Sequence, residues 1–440
     1  MKVFSQKVFA KESESMEDWY IRKQEEQTMA IVRPFRAVRP VPQLVDKVAA
    51  LPYDVMNSKE ARDYVKDNPY SFMRIDRAEV NLPEDVDMYS QQVYETAASR
   101  LNQMKQEGVY IKDAAPCYYI YKQVMDGRAQ VGIVACASVD DYRNDIVKKH
   151  ELTLAKKEDD RCNHVDFCDA NTGPIFLTYR ANDAINAVVE KNMKKAPVYD
   201  FMGDKVQQTC WIIDDQKDIE TIENAFAAIP ALYIADGHHR CASAVRVARK
   251  RRVQNPDYTG NEEFNFFLCV LFPDEQLAIL DYNRVVADLN GNSEAEFLAK
   301  VAEKFEVAQL GAQAPHVTEK HTFGMYLSGQ WWLLTAKPGT FDEKDVVAQL
   351  DVSILQNNLL TPILGIGDPR TDKRIDFIGG IRGLGELERR VNEGMAVAFA
   401  MCPTSIEDLM SIANSGRIMP PKSTWFEPKL LSGIFIHELK

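Results

Sequence analysis

The chain has 440 residues, with 53 lysines and arginines against 65 aspartates and glutamates, a formal net charge of −12, and 45% hydrophobic residues. At roughly 150 residues per domain this length holds two or three cores, and the ordinary apolar fraction excludes extensive disorder. The acidic balance sets the field against a polyanion, so nucleic acid is not an expected partner, and no apolar run approaches the roughly 18 residues of a membrane span.

The polar stretch before residue 30 lacks the apolar centre of a secretory signal, so residues 1–29 read as a flexible extension or a start-site artefact, with the body starting near Ile31 to Arg36. Leu51 to Val55 and Asn68 to Phe72 read as extended pieces punctuated by proline. Apolar residues at Val86, Tyr89, Val93, Ala97, Leu101 and Met104 recur at three and four, which predicts a helix over 83–107 stopped by Gly108. Two β-rich runs, 117–124 and 129–139, flank Asp126-Gly127, a dipeptide suited to hairpin turns. Residues 140–168 are dense in charge. They contain Cys162, His164, Asp166 and Cys168, whose odd spacing without a second half favours local packing over a metal set. The eight cysteines form no Cys-x-x-Cys pair, which suits reduced thiols and a cytoplasmic location.

Further on, residues 231–235 read as a buried strand and 241–252 as a helix with a basic end. Strands are expected at 265–272 and 282–286, and Ser293-x-x-Glu296 is a capping box opening a helix to about Phe305. A second hairpin turns at Ser328-Gly329, residues 342–360 look largely helical, and a last unit follows: strand 375–378, helix 385–392, strand 396–401, and a helix opened by Ser405-x-x-Asp408. Helices and strands alternate irregularly with hairpins between them, which predicts an α+β fold with mixed sheets. Soft boundaries near 204 and 315 divide the body into an N-terminal α+β region (30–204), a central region (205–315) and a C-terminal α+β region (316–440).

Between the strand at 231–235 and the helix at 241–252 lies Asp236-Gly237-His238-His239-Arg240. A glycine at a strand-to-helix turn lets a ligand approach the backbone, and the first free N–H groups of the helix carry the positive end of its dipole. That makes an anion site, to which Arg240 can add a bidentate clamp. Asp236 can serve as a base or a metal ligand, or simply cap the helix. His238 and His239 can act as general acid, phosphate donors or structural hydrogen bonders.

The segments Val32 to Arg36, Pro52 to Val55, Asn68 to Phe72, Lys149-His150-Glu151-x-Thr153, Lys157 to Arg161, Tyr233 to Arg240 and Met419 to Lys429 together resemble a bacterial and archaeal family known as domain of unknown function ten-fifteen. The Asp-Gly-His-His-Arg turn is also similar to the Gly-x-x-Arg phosphate box of the ParB and sulfiredoxin superfamily, which includes nucleotide-dependent free-serine kinases. The resemblance implies a strand-turn-helix phosphate site of that type. Sulfiredoxin chemistry needs a cysteine where His238 stands, and nothing here looks like the helical DNA-binding modules of ParB.

The kinase branch implies ATP or ADP with Mg²⁺ as cofactors, magnesium then being the metal for Asp236, and serine or phosphoserine as the small-molecule substrate. On that reading Gly237, His238, His239 and Arg240 cradle phosphate, and a carboxylate accepts the hydroxyl proton, Glu151 first and Glu158 second. Lys149, Lys157, Arg161, Lys422 and Lys429 are candidates to hold anions, the last two in a proline-stiffened segment. Alternatives are a phosphoserine phosphatase using the same anion site, a non-catalytic nucleotide-binding switch, or a turn that only caps its helix.

Overall fold

Residues 29–440 are described by a computed structural model; the expected extension, but for its last residue, lies outside them. Nine strands form a mixed sheet: β1 (Val32–Arg33), β2 (Tyr118–Met125), β3 (Arg128–Ser138), β4 (Val147–Lys148), β5 (Ile175–Tyr179), β6 (Tyr199–Gly203), β7 (Val206–Ile213), β8 (Leu232–Asp236) and β9 (Phe266–Pro273). Their order is β4-β8-β5-β9-β3-β2-β7-β6, with β1 beside β3. The β2–β3 hairpin turns through Asp126 and Gly127 at φ 50° and 80°, the left-handed pair that a primed turn requires.

Alternation along these strands sends side chains to two cores. Helices α1 (Gln91–Gln106), α2 (Ala155–Cys168), α3 (Asp183–Met193), α4 (Gln216–Phe226) and α5 (His238–Gln254) follow in chain order. Ile133, Leu177, Ile234 and Leu271 face α3, α4 and α5 through Ile185, Ile222 and Ala244. On the opposite face Tyr121, Val134, Tyr233 and Val270 meet residues from the C-terminal part of the chain, Leu430, Leu431 and Phe435 among them. Burial of each such large side chain stabilises by about 1.5–3 kcal/mol before entropy is counted. α2 packs between α1 and α5.

The second sheet is antiparallel throughout. Its strands are β10 (Tyr282–Val286), β11 (Phe305–Gly311), β12 (Thr322–Leu327), β13 (Gln330–Ala336), β14 (Ile375–Gly379) and β15 (Val397–Met401), in the order β11-β13-β12-β15-β10-β14. Helices α6 (Glu294–Lys304), α7 (Leu384–Asn392) and α8 (Ile406–Asn414) complete this part, α6 and α8 opening on the expected capping boxes. α8 ties the sheets together, with Leu409 and Met410 in the core of the first and Ile412 in that of the second. The first sheet draws strands from both sides of residue 204, and the second from both sides of residue 315.

The α+β expectation with mixed sheets matches this architecture; several details differ. The helix expected over 83–107 starts only at Gln91, because the Asp87 carboxylate accepts from Tyr89 N at 3.0 Å and fixes a turn there. Residues 342–350 are turns held by Asp342 and Asp345 side chains, so the helical part of 342–360 is Asp351–Leu355 with a π turn to Leu360. Leu51 to Val55 and Asn68 to Phe72 are turns rather than extended pieces. The Cys162 to Cys168 group is packing: Asp166 pairs with Lys250 and Arg251, while His164 meets Thr172 Oγ1 at 3.1 Å and Asp76 at 3.4 Å. Among the described residues no helix is long and apolar enough to cross a membrane.

Candidate functional site

β8 delivers Asp236 to its carboxyl end, where Gly237 at φ 95° turns the chain into α5. β4 runs parallel to β8, with Val147 opposite Leu232 and Lys148 opposite Tyr233. Two strands that advance together end together, so His150 and Glu151 emerge beside the Asp236–His239 turn. Three further pieces close the space. The tips of the β2–β3 and β6–β7 hairpins bring Asp126 and Asp204, and the C-terminal segment from Met419 to Leu431 arrives from the other side. That segment is tied in by the Met419 N–H donating to His150 O at 2.8 Å and by Gln123 Nε2 donating to Lys429 O at 3.0 Å. Together they enclose a cleft of about 850 Å³.

Asp236, Gly237, His238, His239, Arg240, Glu151, Lys422 and Lys429 all line this cleft. Lys149, Glu158 and Arg161 do not. Lys149 lies exposed with its ammonium 5.2 Å over the Tyr142 ring. Glu158 is occupied by the Thr153 hydroxyl and by Arg246 at 3.2 Å, which fastens the start of α2 to α5. Arg161 is buried behind Tyr53, its guanidinium 4.0 Å from that ring and paired with Asp160 at 2.8 Å.

The turn has the parts of an anion site. The first intrahelical bond of α5 runs from Cys241 N to Gly237 O at 2.9 Å, so the N–H groups of His238, His239 and Arg240 precede the ladder. A Cβ on Gly237 would lie 3.0 Å from the Arg240 guanidinium, which folds back under the turn and donates to Pro174 O. Gly237, not Asp236, is the N-cap; Asp236 Oδ1 accepts from Gly237 N at 2.9 Å. Burial alone would raise the Asp236 carboxyl, but Lys429 and Arg240, each 3.7 Å away, overrule it and hold it down to about 2. Asp236 is a carboxylate at neutral pH.

The two histidines clamp the Glu151 segment. His239 Nε2 accepts from Leu154 N at 3.0 Å, and His238 Nε2 accepts from His150 N at 3.4 Å. Accepting at Nε2 assigns the ring proton of each to Nδ1. Burial pushes both imidazoles down and keeps them neutral, aided at His238 by His150 and at His239 by Lys157. His238 Nδ1 sits 3.8 Å from Glu151 Oε2. Burial and the neighbouring Asp236 charge raise the Glu151 carboxyl against the pull of Lys422 and Lys157, so it is a better proton acceptor than a free glutamate.

Several lining residues carry no role in the sequence reading: Tyr53, Asp54, His150, Lys205, Tyr282 and Trp425. His150 is 2% exposed and neither ring nitrogen has a hydrogen-bond partner; its ring meets His238 edge-on at 4.5 Å. Four of these, Tyr53, Asp54, His150 and Trp425, fall inside motif-like segments, a signal that covered the segment without distinguishing the residue. Among the described residues no group of three or more His, Cys, Asp or Glu side chains is placed to hold a metal alone.

A family model described as "Protein of unknown function (DUF1015)" matches residues 32–353. No curated protein matches the chain. Among solved structures it is similar to a free serine kinase mutant in complex with ADP, at 12% identity and a TM-score of 0.33, covering 68% of this chain and 88% of that one. A conserved hypothetical protein from Pyrococcus furiosus aligns at 13% identity and TM-score 0.31 over 68% and 94% of the two chains. SbnI with C-terminal truncation from Staphylococcus aureus aligns at 9% and 0.34 over 68% and 85%.

Proposed function

The chain belongs to the family described as "Protein of unknown function (DUF1015)", and we propose that its cleft transfers a phosphoryl group between a nucleotide and the hydroxyl of a small amino acid, serine first. The supporting observation is that Glu151, Arg240 and Lys422 line the same cleft as the start of α5. A proton acceptor and an anion cradle on one space are what such a transfer needs. The choice of serine rests on the likeness of the Asp-Gly-His-His-Arg turn to the phosphate box of free-serine kinases.

In this reading the N–H groups of His238 to Arg240, with the Arg240, Lys422 and Lys429 cations, hold the phosphates. Neutral His238 and His239 keep Glu151 at the mouth of that cradle. Glu151 takes the proton of the attacking hydroxyl as its oxygen bonds to phosphorus. The bond to the leaving phosphate oxygen breaks, and the electron pair stays with the shortened nucleotide. Mg²⁺ usually takes one or two carboxylates plus phosphate oxygens, which fits Asp236 as a single protein ligand rather than a full cage. When bound, it would neutralise charge on the phosphates.

The test is to incubate purified protein with Mg²⁺, L-serine and ADP or ATP, and separately with phosphoserine alone. Phosphoserine with the matching shorter nucleotide is expected in the first mixture. Nucleotide binding without phosphoserine, serine or free phosphate appearing in either mixture would refute an enzymatic role.

A further inference from the structure

A second cavity, of about 180 Å³, lies behind the cleft and shares Tyr53, Asp54 and Lys157 with it. We propose that this cavity is an α-amino-acid subsite, with Arg161 receiving the carboxylate and Asp54 the ammonium group, while the side-chain hydroxyl reaches forward to Glu151. The proposal rests on the phosphoryl-transfer reading for the direction of the hydroxyl, but not for the cavity or its charges.

Arg161 is more than nine-tenths buried. It donates to Asp160 Oδ2 through Nε at 2.9 Å, and its Nη2 lies 2.8 Å from the same oxygen, which leaves Nη1 with no acceptor among the described residues. The Tyr53 ring covers one face of the guanidinium at 4.0 Å. A guanidinium stacked in this way keeps its in-plane N–H edge available, the edge that recognises a carboxylate. Asp54 is exposed, lines both spaces and has no ion-pair partner among the described residues. It is close enough for its charge to act on Glu151 and on His239. The cavity's other carboxylates are paired within the protein, Asp76 with His164, Glu79 with Arg77 and Asp160 with Arg161, which leaves the Asp54 carboxylate opposite Lys157 and the free edge of Arg161, charges of both signs that match a zwitterion.

A nucleobase suits the cavity less well. Its three tyrosine rings already have a cation or a ring against them: Arg161 on Tyr53, Lys156 at 4.3 Å over Tyr89, and Phe167 at 5.8 Å from Tyr94. The cavity therefore offers charge where a base would need stacking surface.

The test is a calorimetric titration of the full chain with L-serine, with ethanolamine, which lacks the carboxylate, and with 3-hydroxypropionate, which lacks the amine. Each truncated compound is expected to bind at least tenfold more weakly than L-serine. Asp54→Asn, on an exposed side chain that leaves the fold intact, is expected to weaken L-serine at least tenfold and 3-hydroxypropionate hardly at all. No L-serine binding, equal binding of the three compounds, or an unchanged Asp54→Asn variant would overturn the subsite. Charge-dependent serine binding without phosphoryl transfer would support the subsite and remove the transferase reading. Transfer to ethanolamine as fast as to serine would do the reverse.

Discussion

At the scale of single residues, the cleft is governed by histidines that stay neutral. His150 is buried against the His238 ring with neither ring nitrogen hydrogen-bonded, and burial pushes its imidazole down to about 4 against the attraction of Asp236. Its ordinary value is near 6.5, so between about 6.5 and 4 the unfolded chain takes up a proton that the folded chain refuses. Stability therefore falls as the pH drops through that window, by up to about 3 kcal/mol from this group, and is unaffected by it above neutrality. His150→Phe removes the titration and is expected to flatten the decline of the melting temperature between pH 7 and 4.5. An equally steep decline in the variant would assign the loss to other groups. The residue scale is also where the sequence was least informative. Asp-Gly-His-His-Arg and Glu151 stood out as candidates because both combine unusual residue types at a turn, and the structure brings them to one cleft. Lys149 and Arg161 read in one dimension as candidates to hold anions; only packing shows that one ammonium lies out over Tyr142 and the guanidinium lies behind Tyr53.

At the scale of elements, hairpins and capping boxes were readable because their signals are local. Asp126-Gly127, Ser293-x-x-Glu296 and Ser405-x-x-Asp408 each satisfy their own backbone groups. The stretch from 169 to 230 was opaque. Its strand β7 contains Gln208, fully buried and accepting from Tyr121 Oη at 2.6 Å, so a polar letter occupies a core position. Strand β5 is buried along its whole length, and without alternation it shows no period. Close packing between strands makes its own prediction at Gly132. A Cβ there would lie 2.8 Å from Val270 and 2.9 Å from the Phe272 ring. Gly132→Ala is expected to lower stability by about 1–3 kcal/mol in a denaturant titration, through overpacking. A neutral result would mean that β3 and β9 sit farther apart than described.

At the scale of the whole molecule, the cleft is assembled from segments far apart in sequence: the end of β8, the end of β4, two hairpin tips and the returning C-terminal segment. This is why a net charge of −12 coexists with a local cluster of cations. Arg240, Lys422 and Lys429 come together only because the C-terminal segment returns to the end of β8. The central claim is that Glu151 takes the hydroxyl proton in this cleft. It is tested most directly by following transfer of labelled phosphoryl from nucleotide to L-serine in a single turnover, with nucleotide affinity measured in parallel, for the wild type and Glu151→Gln. The account predicts that transfer falls by a factor of about 100 or more in the variant while nucleotide affinity stays within a few-fold. Transfer at the wild-type rate by Glu151→Gln would contradict it.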